Sequence, residues 1–179
     1  MAFTFGAKAA LTGNTGNPIT LAFTCPANTH ILVVGIAGQT TAQRTGGAPT
    51  YNGVAMTQVG ATQGGSAECT CELWDLANPA TGASYNISVP NAGAIVFRIV
   101  ASCYVDAGAT SAALDVFNQT SVTTANPSLL VTTGFDGEAI VDMLGDGYQN
   151  VEAGRNQTLL YSQDQGAWVT SAQYALQAT

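Results

Sequence analysis

The residues that could carry chemistry are few and stand apart from one another. His30 is the only histidine, and it lies beside the apolar run at residues 31–36. A catalytic serine, cysteine or threonine needs a base close by, most often histidine. The Gly-x-Ser-x-Gly sequence that presents a nucleophile on a sharp turn is absent. A histidine beside a buried strand is more often structural, so the sequence predicts no catalytic role for His30 and a chain that is not an enzyme.

Paired carboxylates are the next candidates, because glycoside hydrolysis uses two of them. Glu68 and Glu72 are four residues apart, so both lie on one face of a predicted strand. Strand rise separates them by about 13 Å, which exceeds the separations of about 5 to 9.5 Å found in glycosidases. Alternation places Asp75 on the opposite face. We therefore expect these carboxylates to be solvated, outward-facing residues.

Acidic residues also cluster late in the chain, around two Asp-Gly turns. The cluster consists of Asp136, Glu138, Asp142 and Asp146. Calcium takes several oxygen ligands brought together by turns, so a calcium site here is an open alternative. The EF-hand spacing is absent. The main prediction is therefore that the chain holds no metal and no cofactor.

The four cysteines are Cys25, Cys69, Cys71 and Cys103. Cys69 and Cys71 share a face if they lie on a strand. The paired Cys-x-x-Cys spacing typical of zinc sites is absent. The sequence favours reduced thiols packed as small apolar groups, and a disulfide is the alternative.

Two further patterns could bind or carry sugars. Aromatic rings can stack on sugar faces, although a tryptophan in a sandwich core is more common. The rings considered are Tyr51, Trp74, Tyr148, Tyr161, Trp168 and Tyr174, of which Trp168 is favoured because it follows a turn-like segment. Glycosylation sequons begin at Asn86, Asn118 and Asn156. Without a signal peptide we expect them to stay unmodified. No single binding residue is predicted.

Composition narrows the classes of function. The chain has 179 residues and fits a single domain, 1–179. Charged residues make up only 8%, against about 25% in an ordinary soluble domain, which predicts a polar but mostly neutral surface. The basic residues are scattered, which disfavours direct nucleic-acid binding. They are Lys8, Arg44, Arg98 and Arg155. The net charge of −7 disfavours anionic membranes.

No targeting segment is predicted, because the N-terminus lacks a basic stretch followed by an apolar one. No run approaches the roughly 20 apolar residues of a membrane span. We therefore expect the chain to fold in the cytosol in which it is made.

The hydrophobic pattern predicts β-structure throughout. Ile19, Leu21 and Phe23 alternate with exposed types, residues 31–36 read as a central strand, and Asn52-Gly53 is a strong hairpin signal. Further strands are predicted at 54–59, 68–76, 85–89, 95–105, 121–124, 129–133, 139–144, 158–162 and 167–176. In the strand at 95–105, one face is predicted to lie in the core and the other is mixed. The predicted core face holds Ile95, Phe97, Ile99, Ala101, Cys103 and Val105. About ten short strands with regular turns indicate a sandwich or barrel.

Several stretches resemble one known family. Residues 50–57 (TYNGVAMT) are similar to a "tyGGvalt" hairpin, and residues 72–79 (ELWDLANP) followed by Gly82 to an "ELWyLlnPp-x-G" segment. Residues 158–162 (TLLYS) and 171–174 (SAQY) are similar to late "tLLys" and "aSsYk" strands. This pattern resembles small β-sandwich domains of tailed-phage structural proteins and related bacterial surface proteins, over roughly 19–175. The resemblance implies a jelly-roll-like antiparallel β-sandwich and transfers no catalytic residue.

The function implied by the resemblance is that of a virion structural protein on the particle exterior. A capsid decoration or cement protein that stabilises the shell is the favoured form, and a head-fibre or tail-fibre, glycan-binding or adhesive module is the alternative. The expected partners are the major capsid protein or other virion proteins. By analogy the chain forms a homo-oligomer, such as a trimer, and is assembled in the host cytoplasm. Family members often continue into a further strand, whereas this chain stops at Thr179, so we expect an open sheet edge there.

Overall fold

The computed structural model describes residues 4–14, 16–38, 44, 46–63, 70–93, 96–105, 118–119, 130–132, 139–146, 158–164 and 169–176. Within these ranges the secondary structure consists of strands without a helix. The strands are β1 (Thr4–Asn14), β2 (Ile19–Thr24), β3 (Thr29–Gly38), β4 (Thr50–Tyr51), β5 (Val54–Ala55), β6 (Thr57–Gln63), β7 (Thr70–Ala77), β8 (Ser84–Val89), β9 (Phe97–Val105), β10 (Ala139–Asp146), β11 (Thr158–Asp164) and β12 (Val169–Leu176). The same part of the chain therefore contains no helix that could cross a membrane.

The strands form an all-β sandwich. A five-stranded antiparallel sheet in the order β1-β9-β3-β7-β6 packs against a four-stranded sheet in the order β2-β8-β4-β5. β3 lies in the middle of the larger sheet, paired with β9 on one side and β7 on the other. Its apolar, β-branched sequence suits a strand that is buried on both faces. The prediction of a central strand at residues 31–36 is therefore confirmed.

The main core fills the space between these two sheets. Leu32, Val34 and Ile36 of β3 meet Ile19 and Phe23 of β2 there. Every second residue of β2 is buried, in the alternation that a strand with one buried face requires. The predicted core face of β9 is confirmed at Phe97, Ile99, Ala101 and Cys103, all of which belong to this cluster.

The other face of the five-stranded sheet is also covered. A three-stranded sheet in the order β10-β12-β11 packs on it, with β10 lying across β3 and β7. Val100 is 3% exposed and forms a second small core with Phe5, Val141 and Met143. Tyr104 is fully buried, with its ring edge-on to Phe5 at 6.2 Å between centroids. The face of β9 that looked mixed in the sequence is therefore an interior face.

Two predicted strands differ in the structure. The strand predicted at 54–59 is divided into β5 and β6, because the N–H of Met56 leaves the ladder and donates to the carbonyl of Pro49 at 2.9 Å. Residues 130–132, within the strand predicted at 129–133, are not in a strand. The strand predicted at 121–124 lies outside the described residues. The hairpin turn is confirmed: Asn52 and Gly53 both have positive φ, at 50° and 76°, and Tyr51 pairs with Val54.

The expectation of an open edge at the last strand is wrong. β12 lies in the middle of its sheet and pairs with β10 along one side and β11 along the other. Its backbone groups therefore find partners within the chain. The edges of the three sheets are formed by other strands.

Two glycines of β3 allow close packing across the sheet faces. A Cβ on Gly38 would fall on the ring of Phe97, which is 1% exposed and directly opposite in the ladder. A Cβ on Gly35 would lie 2.7 Å from the sulfur of Met143 on β10. One glycine therefore makes room for an aromatic core residue, and the other for the strand that covers the sheet.

We predict that Gly38→Ala lowers the free energy of unfolding by about 1 to 3 kcal/mol, as expected when a filled core is overpacked around a rigid ring. Gly35→Ala should cost less, because the flexible end of Met143 can move. Urea unfolding of both variants measures the difference. Equal costs would mean that the Phe97 ring has room to shift.

Candidate functional site

The most organised polar group of the described chain is a buried cluster of Arg44, Glu72 and Trp74. Arg44 donates from Nη2 to Oε2 of Glu72 at 2.9 Å, and their side chains are only 2% and 4% exposed. The indole N–H of Trp74 donates to the same oxygen at 2.8 Å. The guanidinium carbon of Arg44 also lies 5.7 Å from the centre of the Trp74 ring. The Glu72 carboxylate is thus held by the charged Arg44 guanidinium and by the neutral indole N–H of Trp74. The guanidinium is in turn held by the Trp74 ring.

Arg44 also ties two backbone segments to this cluster. Its Nη1 donates to the carbonyl oxygen of Gly47 at 2.8 Å and to that of Pro90 at 2.7 Å. Glu72 and Trp74 come from β7, whereas Pro90 follows β8 in the other sheet. The guanidinium fork therefore links both layers of the sandwich through one side chain. The charges neutralise each other inside the protein, which is the geometry of a structural clamp rather than of an acid or base poised for substrate.

The expectation that Glu72 is solvated is wrong. Alternation along β7 puts Thr70, Glu72 and Trp74 on the core face, and Asp75 on the opposite face as predicted. Burial of Glu72 is tolerated because Arg44 and Trp74 satisfy its charge and hydrogen-bonding capacity. The residues near Glu72 in the sequence do not indicate Arg44 as its partner, because Arg44 is 28 residues away. Glu68 lies outside the described residues.

Asp75 has a different environment on the face of β7 that looks toward the third sheet. It is half-buried, directly opposite Val33 of β3 and Thr57 of β6. Burial raises the pKa of its carboxyl above the ordinary value, because the charged form loses hydration. The folded state therefore disfavours ionised Asp75.

Two buried thiols form a second cluster in the core. Cys25 and Cys103 are fully buried, neither is part of a disulfide, and each side chain affects the ionisation of the other. The Cys103 thiol lies 3.7 Å from the carbonyl oxygen of Ala7. The Cys103 side chain and burial raise the pKa of the Cys25 thiol well above its usual range. Cys71 is half-buried on the other face of the sheet, and Cys69 lies outside the described residues. The predicted packing of cysteines as small core groups is confirmed for Cys25 and Cys103.

The remaining candidates are not brought together. His30 is half-buried on β3, and its backbone carbonyl accepts a hydrogen bond from Asn78 at 2.8 Å. In the described part of the chain no three His, Cys, Asp or Glu residues converge as metal ligands. Asp142 is half-buried on β10, whereas Asp136 and Glu138 lie outside the described residues. Asp146 ends β10, and its side chain is not described.

The two described rings among the sugar-stacking candidates are interior. Tyr51 is fully buried and donates its hydroxyl to the carbonyl of Phe23 at 3.3 Å, and Trp74 is 8% exposed. The hypothesis of a stacking platform is therefore wrong for both. Outside the described side chains lie Tyr148, Tyr161, Trp168 and Tyr174. Of the sequon asparagines, Asn86 and Asn118 are exposed, and Asn156 lies outside the described residues.

The described surface carries one exposed charge, that of Lys8 on β1. Every other exposed residue of the described ranges is Thr, Ser, Asn, Gln, Gly, Ala, Pro, Val or Leu. The remaining charged residues with described side chains are half-buried or buried, namely Arg44, Glu72, Asp75, Arg98 and Asp142. The sequence predicted a mostly neutral surface, and in the described ranges every charge except that of Lys8 is partly or fully buried.

One sheet face concentrates this neutral surface. We name it the outer face: Thr20, Ala22 and Thr24 of β2, with Ser84, Asn86 and Ser88 of β8 paired directly beside them. The β2 residues are exposed, as are Ser84 and Asn86, while Ser88 is half-buried. The side chains are short and uncharged, so the face offers hydroxyl, amide and methyl groups for contact.

The edge strand β2 continues this face and is less protected than the other described edges. β1, β6 and β11 carry register shifts, β5 has only two residues, and β10 carries two aspartates. Bulges, shortness and charge are the features that keep an edge from pairing with another chain. β2 pairs with β8 in an unbroken register and contains no charge or proline. β2 therefore lacks these three features, and β1 packs close to it.

Comparison with known proteins finds no match. No family model, curated protein or solved structure matches the chain. The likeness to phage structural domains therefore rests on the strand and turn motifs of the sequence alone.

We predict that Arg44→Met lowers the free energy of unfolding by about 3 to 5 kcal/mol, because it leaves the Glu72 carboxylate buried without its counter-charge. Chemical denaturation measures this loss. The double variant Arg44→Met/Glu72→Gln should recover part of it, since the amide removes the buried charge and still accepts from Trp74. A loss below about 1 kcal/mol for Arg44→Met would instead be the behaviour of a solvent-exposed pair.

We predict that Asp75→Asn stabilises the protein at neutral pH. A raised pKa means that folding favours the protonated carboxyl, so its contribution is fully present below the ordinary pKa and is lost as pH rises through the folded value. The advantage of the variant should therefore be largest at about pH 7 and should vanish below about pH 4. Urea midpoints measured across this interval test the prediction. A variant less stable than the parent at neutral pH would show that the carboxylate makes a favourable interaction.

Proposed function

We propose that this chain is a structural protein of the exterior of a virus particle, acting as a capsid decoration or cement protein. The observation that carries the proposal is the uncharged outer face, on a described surface whose only exposed charge is that of Lys8. The similarity of the strand and turn motifs to phage structural domains supports the same function. The partners proposed are the major capsid protein or other virion proteins, with self-association into a homo-oligomer.

A neutral face favours association by shape, apolar contact and hydrogen bonding. Charged surfaces steer their partners from a distance and lose that attraction in salt. Short Thr, Ser and Ala side chains lose little conformational entropy when they are covered. A protein that covers the boundary between shell subunits adds contacts which expansion of the shell must break, and so stabilises the assembled state by mass action.

The geometry supports enzymatic function less well. The ionisable groups of Arg44 and Glu72 are paired with each other, and the Cys25 and Cys103 thiols are sealed in the core. These groups interact with one another in the protein interior and do not face a substrate. The chain is accordingly proposed to act by binding and not by catalysis.

A glycan-binding or adhesive module is the second candidate. Hydroxyl and amide groups of the outer face can hydrogen-bond to neutral sugars, which favours this function. Sugar-binding sites also use exposed aromatic rings, and no exposed residue of the described ranges is aromatic. Decoration is therefore the better-supported function of the two.

Quantitative mass spectrometry of purified native particles tests the proposal. We expect this chain at a simple ratio to the major shell protein, such as one to one or one to three. A few copies per particle would instead indicate a fibre or vertex component. Absence from particles would overturn the virion assignment, and binding of the isolated chain to a glycan array would then support the second candidate.

The docking face is tested by adding purified chain to particles that lack it. Binding should change little between about 0.1 M and about 1 M salt, because the outer face has no exposed charge that could contribute to the affinity. Ala22→Lys should weaken binding by placing a charge in the middle of the outer face. Gln58→Lys is the matched control, since it adds the same charge at an exposed position of β6. Equal effects of the two variants would exclude the outer face as the docking surface.

A further inference from the structure

Cys25 and Cys103 meet where the two main sheets face each other. Cys25 directly follows β2 of the four-stranded sheet, and Cys103 lies on β9 of the five-stranded sheet. Both side chains are fully buried in the same core cluster. Each thiol affects the ionisation of the other, which places the two near one another, and the carbonyl of Ala7 lies 3.7 Å from the Cys103 sulfur. The two sulfur atoms are thus neighbours across the layers of the sandwich.

This arrangement places in one core the two groups that a disulfide joins. A disulfide brings its two sulfur atoms to about 2.05 Å and joins Cβ atoms about 3.8 Å apart. The bond would therefore lie within the closed core, where both side chains are already buried. Cys71 offers no comparable route, because it lies on the face of β7 that looks away from this core.

We propose that Cys25 and Cys103 form a disulfide that joins the two sheets once the chain meets an oxidising environment. The bond links the edge strand β2 to β9, which lies inside the larger sheet. The covalent loop between them contains β3 to β8. Cross-linking residues so far apart restricts the unfolded chain strongly, so the oxidised protein resists unfolding more than the reduced one. The proposal does not depend on where the protein acts.

The oxidant is a small disulfide such as oxidised glutathione. A thiolate of one cysteine attacks a glutathione sulfur and releases one glutathione thiolate, which leaves a mixed disulfide on the protein. The second cysteine attacks that mixed disulfide and releases the other glutathione thiolate. The two protons lost by the cysteines pass to the two thiolates released. The balance is two cysteine thiols and one oxidised glutathione giving one disulfide and two reduced glutathiones.

Burial sets the rate of this reaction. In the folded protein neither sulfur is exposed, so an oxidant in solution does not reach them. During folding, before the two sheets close on each other, both sulfurs are reachable. The disulfide should therefore form readily when the chain folds in an oxidising buffer, and slowly when folded, reduced protein is transferred into the same buffer.

Refolding in a glutathione redox buffer tests the proposal. Unfolded, reduced protein is refolded with oxidised glutathione, remaining thiols are alkylated, and the digest is analysed by mass spectrometry. We expect a linked peptide pair containing Cys25 and Cys103, a loss of two hydrogen atoms from the intact mass, and a higher urea midpoint that falls when a reductant is added. Cys103→Ala should abolish the linked pair, and Cys71→Ala should preserve it.

Three results would overturn the proposal. Complete alkylation of Cys25 and Cys103 after oxidative refolding would show that the pair does not join. A linked peptide between other cysteines would show that the contact does not direct the chemistry. A linked Cys25–Cys103 pair with an unchanged or lower urea midpoint would show that the bond strains the sandwich. Peptide mapping of the unsubstituted protein decides the first two even if a variant fails to fold.

Discussion

Burial of the five-stranded sheet on both faces is the constraint on which the rest of the structure depends. β3 and β9 are mostly apolar on both sides, so a two-layer sandwich would leave one largely apolar face in water. The three-stranded sheet removes that exposure by laying Val141 and Met143 of β10 over Val100 and Gly35. At about 25 cal/mol per Å² of apolar surface, covering such a face is a large favourable contribution to folding. The glycines of β3 set how closely the layers approach.

A chain so short of charge uses several of the charges it has inside. Arg44 and Glu72 clamp two layers, Asp75 is half-buried, and Arg98 is only 4% exposed on the second interior face. Each buried charge costs hydration, which Arg44 and Glu72 offset by pairing and hydrogen bonding. In the described ranges the exposed surface carries a single charge, that of Lys8. The same scarcity of charge therefore determines both the buried Arg44–Glu72 pair and the uncharged outer face that is proposed to dock.

The strands were largely predictable from sequence, whereas their layering was not. Period-2 alternation and the Asn52-Gly53 turn depend on neighbouring residues, so β2, β3, β8 and the hairpin could be predicted locally. The third layer depends on contact between distant strands, which local patterns do not encode. Glu72 illustrates the same limit, because an isolated glutamate in a strand suggests exposure and only the distant Arg44 makes its burial possible. Likewise, the pairing of β12 between β10 and β11 could not be inferred from the position of the last strand in the sequence.

The kind of candidate site could be predicted from the sequence, but its location in the fold could not. Low charge indicated a neutral binding surface, yet its location depends on which face of each strand is covered. Once the third sheet covers one side of the larger sheet and the core the other, the outer face of β2 and β8 is left as an exposed surface that ends at the edge strand β2. A partner that covers this face also meets the strand whose end carries Cys25. Fixing that strand to β9 by a disulfide would hold the face rigid before docking, which lowers the entropy lost on binding.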